Sequence, residues 1–453
     1  AALIACRLPH GYLPDLPGSM PSLESTGGDK GHGAATLPSM PQKRPEPGGS
    51  GEGEGAATAR LVLLAQCFMA TAGSMVLPAR PPLVLAIEGD TGKAARVLGL
   101  QSSCAAALQL LLNPILGRLS DRHGRRPCLV GALLASGLAH ASVAAAPWSR
   151  AAIFADRMIA GSSAEVFITF TRAALSDLVS GPALAAALSR QGACIGAGSV
   201  MGSYVGGRLG GACAFACSAA FYALSACWLL GTTPETHPVE KRRPFSWLAS
   251  NPLAFLRLFR DGTLGRLALT VGLQSFADFS NIMDVSFLYL KTVLAYGQAQ
   301  AGNFVTAFGL TRTAGGLLSP PVLRRLGQAT HVQVANLATI LALGLLGTAR
   351  STGQVASALL ALTMGHQRST AVDAYLQRHG TAAGMGHAEV AAASVSLVAA
   401  VRVVAPLAYG RMFSWATAGG RSLPGLPYLF AAVLVATSQF AFWSAAPEKG
   451  RLS

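Results

Sequence analysis

Ionisable side chains fall inside long apolar stretches of this chain. Charged groups in an apolar environment are expensive, so we treat them as functional candidates. They comprise acids, arginines and one histidine, and the ones that we single out are Arg157, Glu165, Asp278, Asp284, Arg312, His366, Arg368 and Arg402. Burial favours the neutral form of a carboxyl group, and a neighbouring arginine favours the charged form. A conformational change that makes and breaks such a pair would therefore take up and release a proton.

Helical spacing suggests which of these groups meet. Arg157 and Glu165 lie eight residues apart and share one helix face about 80° wide. We hypothesise that Glu165 pairs with Arg157, and that Asp278 pairs with Arg312 or Arg368. The alternative is that these are static ion pairs that fix helix contacts.

Two of the candidates have a plainer interpretation. Asp284 is expected near an outer membrane interface, and His366 can be a hydrogen-bonded core residue. The arginines among the candidates are at least as numerous as the acids. This balance favours an anionic or zwitterionic ligand over a cationic one.

The composition indicates a membrane protein. Of the 453 residues, 51% are hydrophobic and only 12% are charged, against about 25% charged in soluble domains. The mean hydropathy of +0.43 excludes a mainly disordered chain, and the unbroken apolar runs exclude a barrel of alternating strands. The net charge of +15 does not indicate nucleic acid binding, because the basic residues lie in short loops without interleaved aromatics.

About twelve apolar segments, each about 20 residues long, follow one another between residues 60 and 446. We expect an all-α membrane protein with this organisation: a disordered cytosolic tail (1–58), an N-terminal six-helix bundle (59–231), a cytoplasmic linker with an interfacial helix (232–264), a C-terminal six-helix bundle (265–446) and a cytosolic C-terminal tail (447–453). An excess of Lys and Arg in alternate loops places both termini in the cytosol. We expect no cleavable targeting segment, and we expect the protein in the plasma membrane or an internal organelle membrane.

The loop after the second apolar segment carries the most specific motif. It reads G-R-L-S-D-R-H-G-R-R from Gly117 to Arg126. It resembles the signature G-x-L-x-D-R-x-G-R-R of the major facilitator superfamily. By this resemblance, the loop is a latch between two halves that breaks and reforms during transport, with Asp121 and Arg125 as its main groups. Its candidate residues are Gly117, Asp121, Arg122, Gly124, Arg125 and Arg126.

Other segments extend the resemblance over about residues 60–446. Arg157 to Gly161 is similar to the R-x-x-x-G element of proton-coupled members. A second run resembles the G-x-x-x-G-P-x-x-G-G motif of the drug:proton antiporter branch, with Ser203 in place of proline and helix-packing glycines at Gly198, Gly202, Gly206 and Gly207. The resemblance is closest to the tetracycline-resistance-like efflux proteins.

The family resemblance implies twelve transmembrane helices in two six-helix bundles with inverted repeats, and a substrate site between the bundles near mid-membrane. We expect a monomeric, multi-pass secondary transporter of a small organic solute, most consistent with proton-coupled antiport and efflux. The alternatives are a symporter or facilitator of an organic anion or metabolite, and a transporter-like receptor or scaffold. We expect protons and lipid as its other partners, and neither enzyme activity, a cofactor nor a metal site, since the sequence lacks the P-loop, nucleophile-elbow and metal-pair motifs.

Overall fold

Helices make up the fold. The structure is a computed structural model that describes residues 51–237, 239–242, 254–419 and 422–445. The first half of the described chain contains α1 (Gly51–Met75), α2 (Arg80–Glu88), α3 (Thr91–His123), α4 (Arg125–Ala145), α5 (Arg150–Leu178), α6 (Gly181–Leu209) and α7 (Gly211–Thr232). The second half contains α8 (Gly262–Phe276), α9 (Phe279–Leu294), α10 (Gln298–Leu326), α11 (Gln328–Gly347), α12 (Thr352–Gly365), α13 (Arg368–Ala382), α14 (His387–Thr417) and α15 (Leu426–Ala445).

The described helices correspond to the twelve predicted spans, and three of these spans are each divided into two helices. The first, seventh and tenth spans are divided into α1 and α2, α8 and α9, and α12 and α13. Seven helical segments of the described chain are long and apolar enough to cross a membrane by length and composition alone. Of the helices that do not meet this criterion, α8 and α9 are short because their span is divided, and α5 carries ionisable residues along its length.

Parts of the predicted organisation fall on residues that the structure does not describe. These are residues 1–50 of the predicted N-terminal tail, 243–253 of the predicted linker and interfacial helix, and all of 447–453. Within the described part of the linker, short 3-10 helices cover Val239–Lys241 and Ala254–Phe259.

Polar groups satisfy the backbone where the divided helices of the second half end. Asp278 precedes α9, and its carboxylate accepts a hydrogen bond from the Ser280 amide at 2.9 Å, which is the usual role of an N-cap. Arg368 opens α13, and its Nη2 donates to the carbonyls of Gln274 at 3.1 Å and Ala277 at 3.2 Å. A guanidinium at the carbonyl end of a helix complements the helix dipole. The Arg368 contacts join the start of α13 to the end of α8, and Asp278 caps the start of α9.

The two halves meet at one end of the molecule. We name this the Gly89 end, after the turn between α2 and α3; the opposite end, at the turn between α3 and α4, is the Gly124 end. A single apolar cluster at the Gly89 end includes Val76 and Leu83 from the first half and Ile282 and Tyr409 from the second. The continuous cluster shows that the halves share one core at this end.

Small residues allow the helices of the two halves to approach closely at the Gly89 end. A Cβ on Gly99 of α3 would lie 2.5 Å from the Pro406 carbonyl oxygen of α14. A Cβ on Gly302 of α10 would lie 2.7 Å from the Cα of Gly207 in α6. Backbone contacts of this kind are possible only where the side chain is absent.

Each half has its own apolar cluster toward the Gly124 end. In the first half, Leu63, Leu175 and Ala187 pack together. In the second half, a separate cluster includes Leu264 and Val390. Among the described residues, these clusters do not combine side chains from both halves, so the shared core is confined to the Gly89 end.

Replacing Gly207 with valine should separate the halves at the Gly89 end. The new side chain meets the Gly302 backbone, and overpacking of this kind costs about 1–3 kcal/mol, enough to shift a two-state equilibrium about tenfold. We expect double electron–electron resonance to show a longer distance between spin labels at the exposed positions Trp148 and Arg350, in a chain whose native cysteines are replaced by serine.

The matched control is Gly192→Val, on the same helix, because a Cβ on Gly192 meets nothing within 4 Å. An equal change in distance for the two variants would show that the close contact with α10 is not what holds this end together.

Candidate functional site

A cavity of about 380 Å³ lies between the two halves. The first half contributes residues from each of its helices, α1 to α7, and the second half contributes residues from α9 and α14. The charged groups on its wall are Arg80, Arg157, Glu165, Asp284 and Arg402. The cavity is therefore a polar site at the interface of the halves.

Asp284 joins the halves across the cavity. Its carboxylate lies 3.3 Å from Nη2 of Arg157 on α5 and accepts a hydrogen bond of 2.7 Å from the Ser102 hydroxyl on α3. Arg157 also donates to Ser102 at 2.9 Å. Asp284 lines the cavity, so its expected position near an outer interface was wrong. The three side chains form one network in which the second half supplies the acid.

A second cross-half pair lies further along α5. Glu165 is 3.6 Å from Nη1 of Arg402 on α14, and both side chains are about two-fifths exposed, at 43% and 41%. The predicted pairing of Glu165 with Arg157 was therefore wrong, since each finds its partner in the other half. The helical spacing correctly placed the two on one face of α5, but it could not show what lies opposite that face.

Among the described residues, Asp278 makes no direct ion pair with an arginine, but its charge interacts with the charges of Arg368 and Arg312, the two predicted partners. Arg368 donates to backbone carbonyls, and the Asp278 carboxylate caps α9. Within the described residues, Arg312 is exposed and makes no ion pair with Asp278. His366 lies nearby, with Nε2 at 3.2 Å from the Thr311 hydroxyl. This second polar group belongs to the second half alone.

A buried ionic cluster in the first half was missed by the sequence analysis. Arg80 of α2 donates to Asp156 of α5 at 2.6 Å, and the two side chains are 5% and 0% exposed. Nε2 of His140, on α4, lies 3.4 Å from the other oxygen of Asp156. Arg80 is not among the groups that the sequence analysis singles out. The available signal was Asp156, an acid inside a predicted span directly before Arg157.

The predicted latch loop forms a network around Arg125. This side chain contacts the Asp121 carboxylate at 2.6 Å and the Asp177 carboxylate at 3.0 Å. The carboxylate of Glu235, which follows α7, accepts hydrogen bonds from the amides of Arg125 at 2.8 Å and Arg126 at 3.2 Å. These contacts tie the start of α4 to the ends of α3, α5 and α7, all in the first half.

Gly124 makes the turn inside this loop possible. Its φ of +103° lies in a region that residues with a side chain rarely adopt. A Cβ here would also meet the Glu235 carboxylate. Gly117 has open space around the position of a Cβ, and Arg122 is exposed.

The predicted glycine ladder of α6 packs against α1. Cβ atoms on Gly198, Gly202 and Gly206 would meet the carbonyls of Cys67, Thr71 and Met75, one turn of α1 after another. Ser203, which stands at the proline position of the motif, lies within the unbroken α6 and is buried. The ladder thus fixes α6 against α1, while Gly207 faces the second half.

Double-mutant cycles should separate the two cross-half pairs. Arg157→Gln with Asp284→Asn should show a coupling energy of about 1–3 kcal/mol, because this pair is largely buried and shares Ser102. Glu165→Gln with Arg402→Gln should show about 0–1 kcal/mol, because that pair is water-exposed. Reversible unfolding in detergent micelles measures both couplings, and equal values would contradict the assignment.

Arg125→Lys should lower stability by about 1–3 kcal/mol, because an ammonium group cannot contact Asp121 and Asp177 with the geometry of a guanidinium. The thermal midpoint of the purified protein measures the loss. Arg122→Lys is the matched control, since Arg122 lies in the same loop with an exposed side chain. A comparable loss in both variants would argue against a network centred on Arg125.

Comparison with known proteins places this architecture in a family. The chain is 28% identical over 222 residues to the class C tetracycline resistance protein of Escherichia coli, an alignment that covers 47% of this chain and 54% of that protein. Alignments with the curated relatives span about half of their length. Two solved structures share the fold: the human organic anion transporter MFSD10, at 23% identity and a TM-score of 0.62, and the nucleoside transporter NupG, at 14% identity and a TM-score of 0.70.

The structural matches extend over most of the molecule. They cover 85% of this chain and 98% of the MFSD10 chain, and 86% of this chain and 98% of the NupG chain. They confirm the predicted fold, an all-α membrane protein with twelve helices in two bundles. The model of the Major Facilitator Superfamily matches residues 62–426, and the protein is therefore an integral, multi-pass membrane protein that belongs to this superfamily.

Proposed function

We propose that this protein is a secondary active transporter that moves a small organic solute by alternating access, in proton-coupled antiport that results in efflux. The observation that carries the proposal is the charged cavity between the halves, where two ion pairs, Arg157 with Asp284 and Glu165 with Arg402, each join one half to the other. An ionic group that served only to stabilise one bundle would be expected to pair within that bundle.

The packing supports the alternating part of the proposal. The halves share a core at the Gly89 end and have separate clusters toward the Gly124 end. Opening the Gly89 end would separate Gly207 from Gly302 and Asp284 from Arg157. These contacts are the ones that a rocking motion about the cavity would have to break and reform.

Ionic groups at the cavity support the coupling part of the proposal. Glu165 is exposed to the cavity and is held only weakly by Arg402. Rocking of the halves would separate charged groups that meet across the interface, and proton binding at ionic groups beside the cavity would offset part of this loss. Proton binding would thus be coupled to conformation, and the proton gradient would supply the energy.

An organic anion is the substrate class that we favour, with an anion symporter or facilitator as the second candidate function. The cavity wall carries three arginines, Arg80, Arg157 and Arg402, and two acids, Glu165 and Asp284. Arg402 is the most exposed of these arginines and can offer two parallel hydrogen bonds to a carboxylate or sulfonate. The human MFSD10, an organic anion transporter, shares the fold.

The proposed arrangement in the membrane follows from the loop charges. The basic loop from Gly117 to Arg126 at the Gly124 end would face the cytosol, together with both termini. The protein would act as a monomer in the plasma membrane or an organelle membrane, with one cavity per chain.

Proteoliposomes test the proposed function directly. We expect an imposed pH gradient to drive uptake of the anionic dye fluorescein or of zwitterionic tetracycline, with the membrane potential clamped. Arg402→Gln should reduce fluorescein flux about tenfold, since it removes a charged hydrogen-bond donor. Arg350→Gln is the matched control, because this exposed arginine lies in the loop between α11 and α12, away from the cavity.

The outcomes separate the candidate functions. Flux down a concentration gradient that ignores the pH gradient would indicate a facilitator. Uptake of the probe in the same direction as the proton flow, rather than in the opposite direction, would indicate a symporter. Failure of every probe to cross would favour a receptor or scaffold and would contradict transport.

A further inference from the structure

The buried cluster of the first half has a hydrogen-bonding pattern that requires explanation. Asp156 is fully buried. One of its oxygens accepts from Arg80 at 2.6 Å. The other, Oδ1, has no hydrogen-bond donor, although it lies 3.4 Å from Nε2 of His140. A buried carboxylate oxygen without a donor is unusual, because it loses its hydration without compensation.

The neighbouring serine determines which nitrogen of His140 carries hydrogen. The Ser218 hydroxyl lies 2.6 Å from the Ala72 carbonyl oxygen, which can only accept, so the single hydroxyl hydrogen points there. Nδ1 of His140 lies 2.7 Å from the same hydroxyl oxygen. Nδ1 must therefore be the donor in this contact. In a neutral imidazole the other nitrogen, Nε2, then has a lone pair and no hydrogen.

Neutral His140 would thus turn a lone pair toward a carboxylate oxygen that also lacks a donor. One added proton removes the conflict, because it gives Nε2–H a partner in Asp156 Oδ1. We propose that the contact between His140 and Asp156 is a proton-binding site, occupied in the conformation seen here. In the step, a hydronium ion transfers its proton to the Nε2 lone pair and leaves as water. This inference rests on the proton coupling proposed above and names the residues that carry it.

The proton-binding site is adjacent to the cavity, from which the proton would come. Arg80 and His140 form part of the cavity wall, and Asp156 lies behind them. Among the described residues, the charged and titratable groups around His140 are Arg80 and Asp156, with Tyr222 of α7 against its ring. Arg157 and Asp284 lie beyond them. The site therefore lies directly behind the cavity wall, with His140 and Asp156 themselves buried.

The position of the site on α5 connects it to the contact between the halves. Asp156 and Arg157 are consecutive, and one faces the first half while the other pairs with Asp284 of the second. A proton on the cluster adds positive charge to the first half beside the carboxylate of the second. The attraction across the interface increases, since the dielectric constant there is low. Proton binding should therefore favour closure of the Gly89 end.

The test measures conformation without any substrate. Spin labels at Trp148 and Arg350 report the distance between the halves at the Gly89 end, in the full-length chain with its cysteines replaced by serine, across a pH series. We expect the unaltered site to give a shorter distance at acidic pH and a longer one at alkaline pH. His140→Gln should abolish the pH dependence of this distance, because a glutamine amide does not bind a proton near neutral pH.

The matched control is His331→Gln. His331 is also buried, and one of its ring nitrogens, Nε2, lies 3.2 Å from the Ser319 hydroxyl, but it has no carboxylate partner in the part of the chain that the structure describes. This variant should keep the pH dependence. Equal dependence in the unaltered protein and in His140→Gln would overturn the site while leaving proton-coupled transport possible. Loss in both histidine variants would also overturn it.

Ser218→Ala keeps the proposal testable if His140→Gln does not fold. Without the serine, neutral His140 can place its hydrogen on Nε2 and donate to Asp156 without an added proton. The site should then bind the proton about tenfold more weakly, which moves the midpoint about one pH unit toward acid. An unchanged midpoint would contradict the argument. A pH-dependent distance together with absent flux would leave the proton site intact and remove the transport proposal.

Discussion

Two consecutive residues of α5, with opposite charges and opposite directions, hold the centre of this molecule together. Asp156 faces Arg80 inside the first half, and Arg157 faces Asp284 of the second half. Charges in a medium of low dielectric interact strongly, and an unpaired one is heavily destabilising. The two ion pairs therefore depend on one helix, and a shift of α5 disturbs both. This dependence is what connects the interior of one bundle to the interface between the two.

The ionic contacts act within a fold whose packing is asymmetric from end to end. Glycine contacts and a shared apolar core fix the halves at the Gly89 end. Toward the Gly124 end, the described apolar clusters are separate, and the Arg125 network stays within the first half. Dispersion and close packing stabilise the closed end, and a few charged groups bias it. Interfaces of this kind have discrete arrangements rather than a continuous range, because packed surfaces do not deform gradually.

The sequence predicted the fold and the loop motif better than it predicted the site. Apolar length and loop charge were enough to identify twelve spans, since the lipid restricts the chain to helices. Helical periodicity placed Arg157 and Glu165 on one face, but their partners Asp284 and Arg402 come from helices far away in sequence. Periodicity carries no information about which helix lies opposite. Arg80 was missed for another reason, because it lies where α2 continues the first span beyond the break after Met75.

The two halves make a corresponding connection with different acceptor groups. In each half a buried arginine joins the first span of the half to its fourth. Arg80 of α2 binds the carboxylate of Asp156 on α5, whereas Arg368 of α13 binds the carbonyls at the end of α8. Backbone carbonyls satisfy a guanidinium but cannot take up a proton near neutral pH. If His140 and Asp156 bind a proton as proposed, the connection in the first half would respond to pH, whereas the hydrogen bonds from Arg368 to the backbone carbonyls would not.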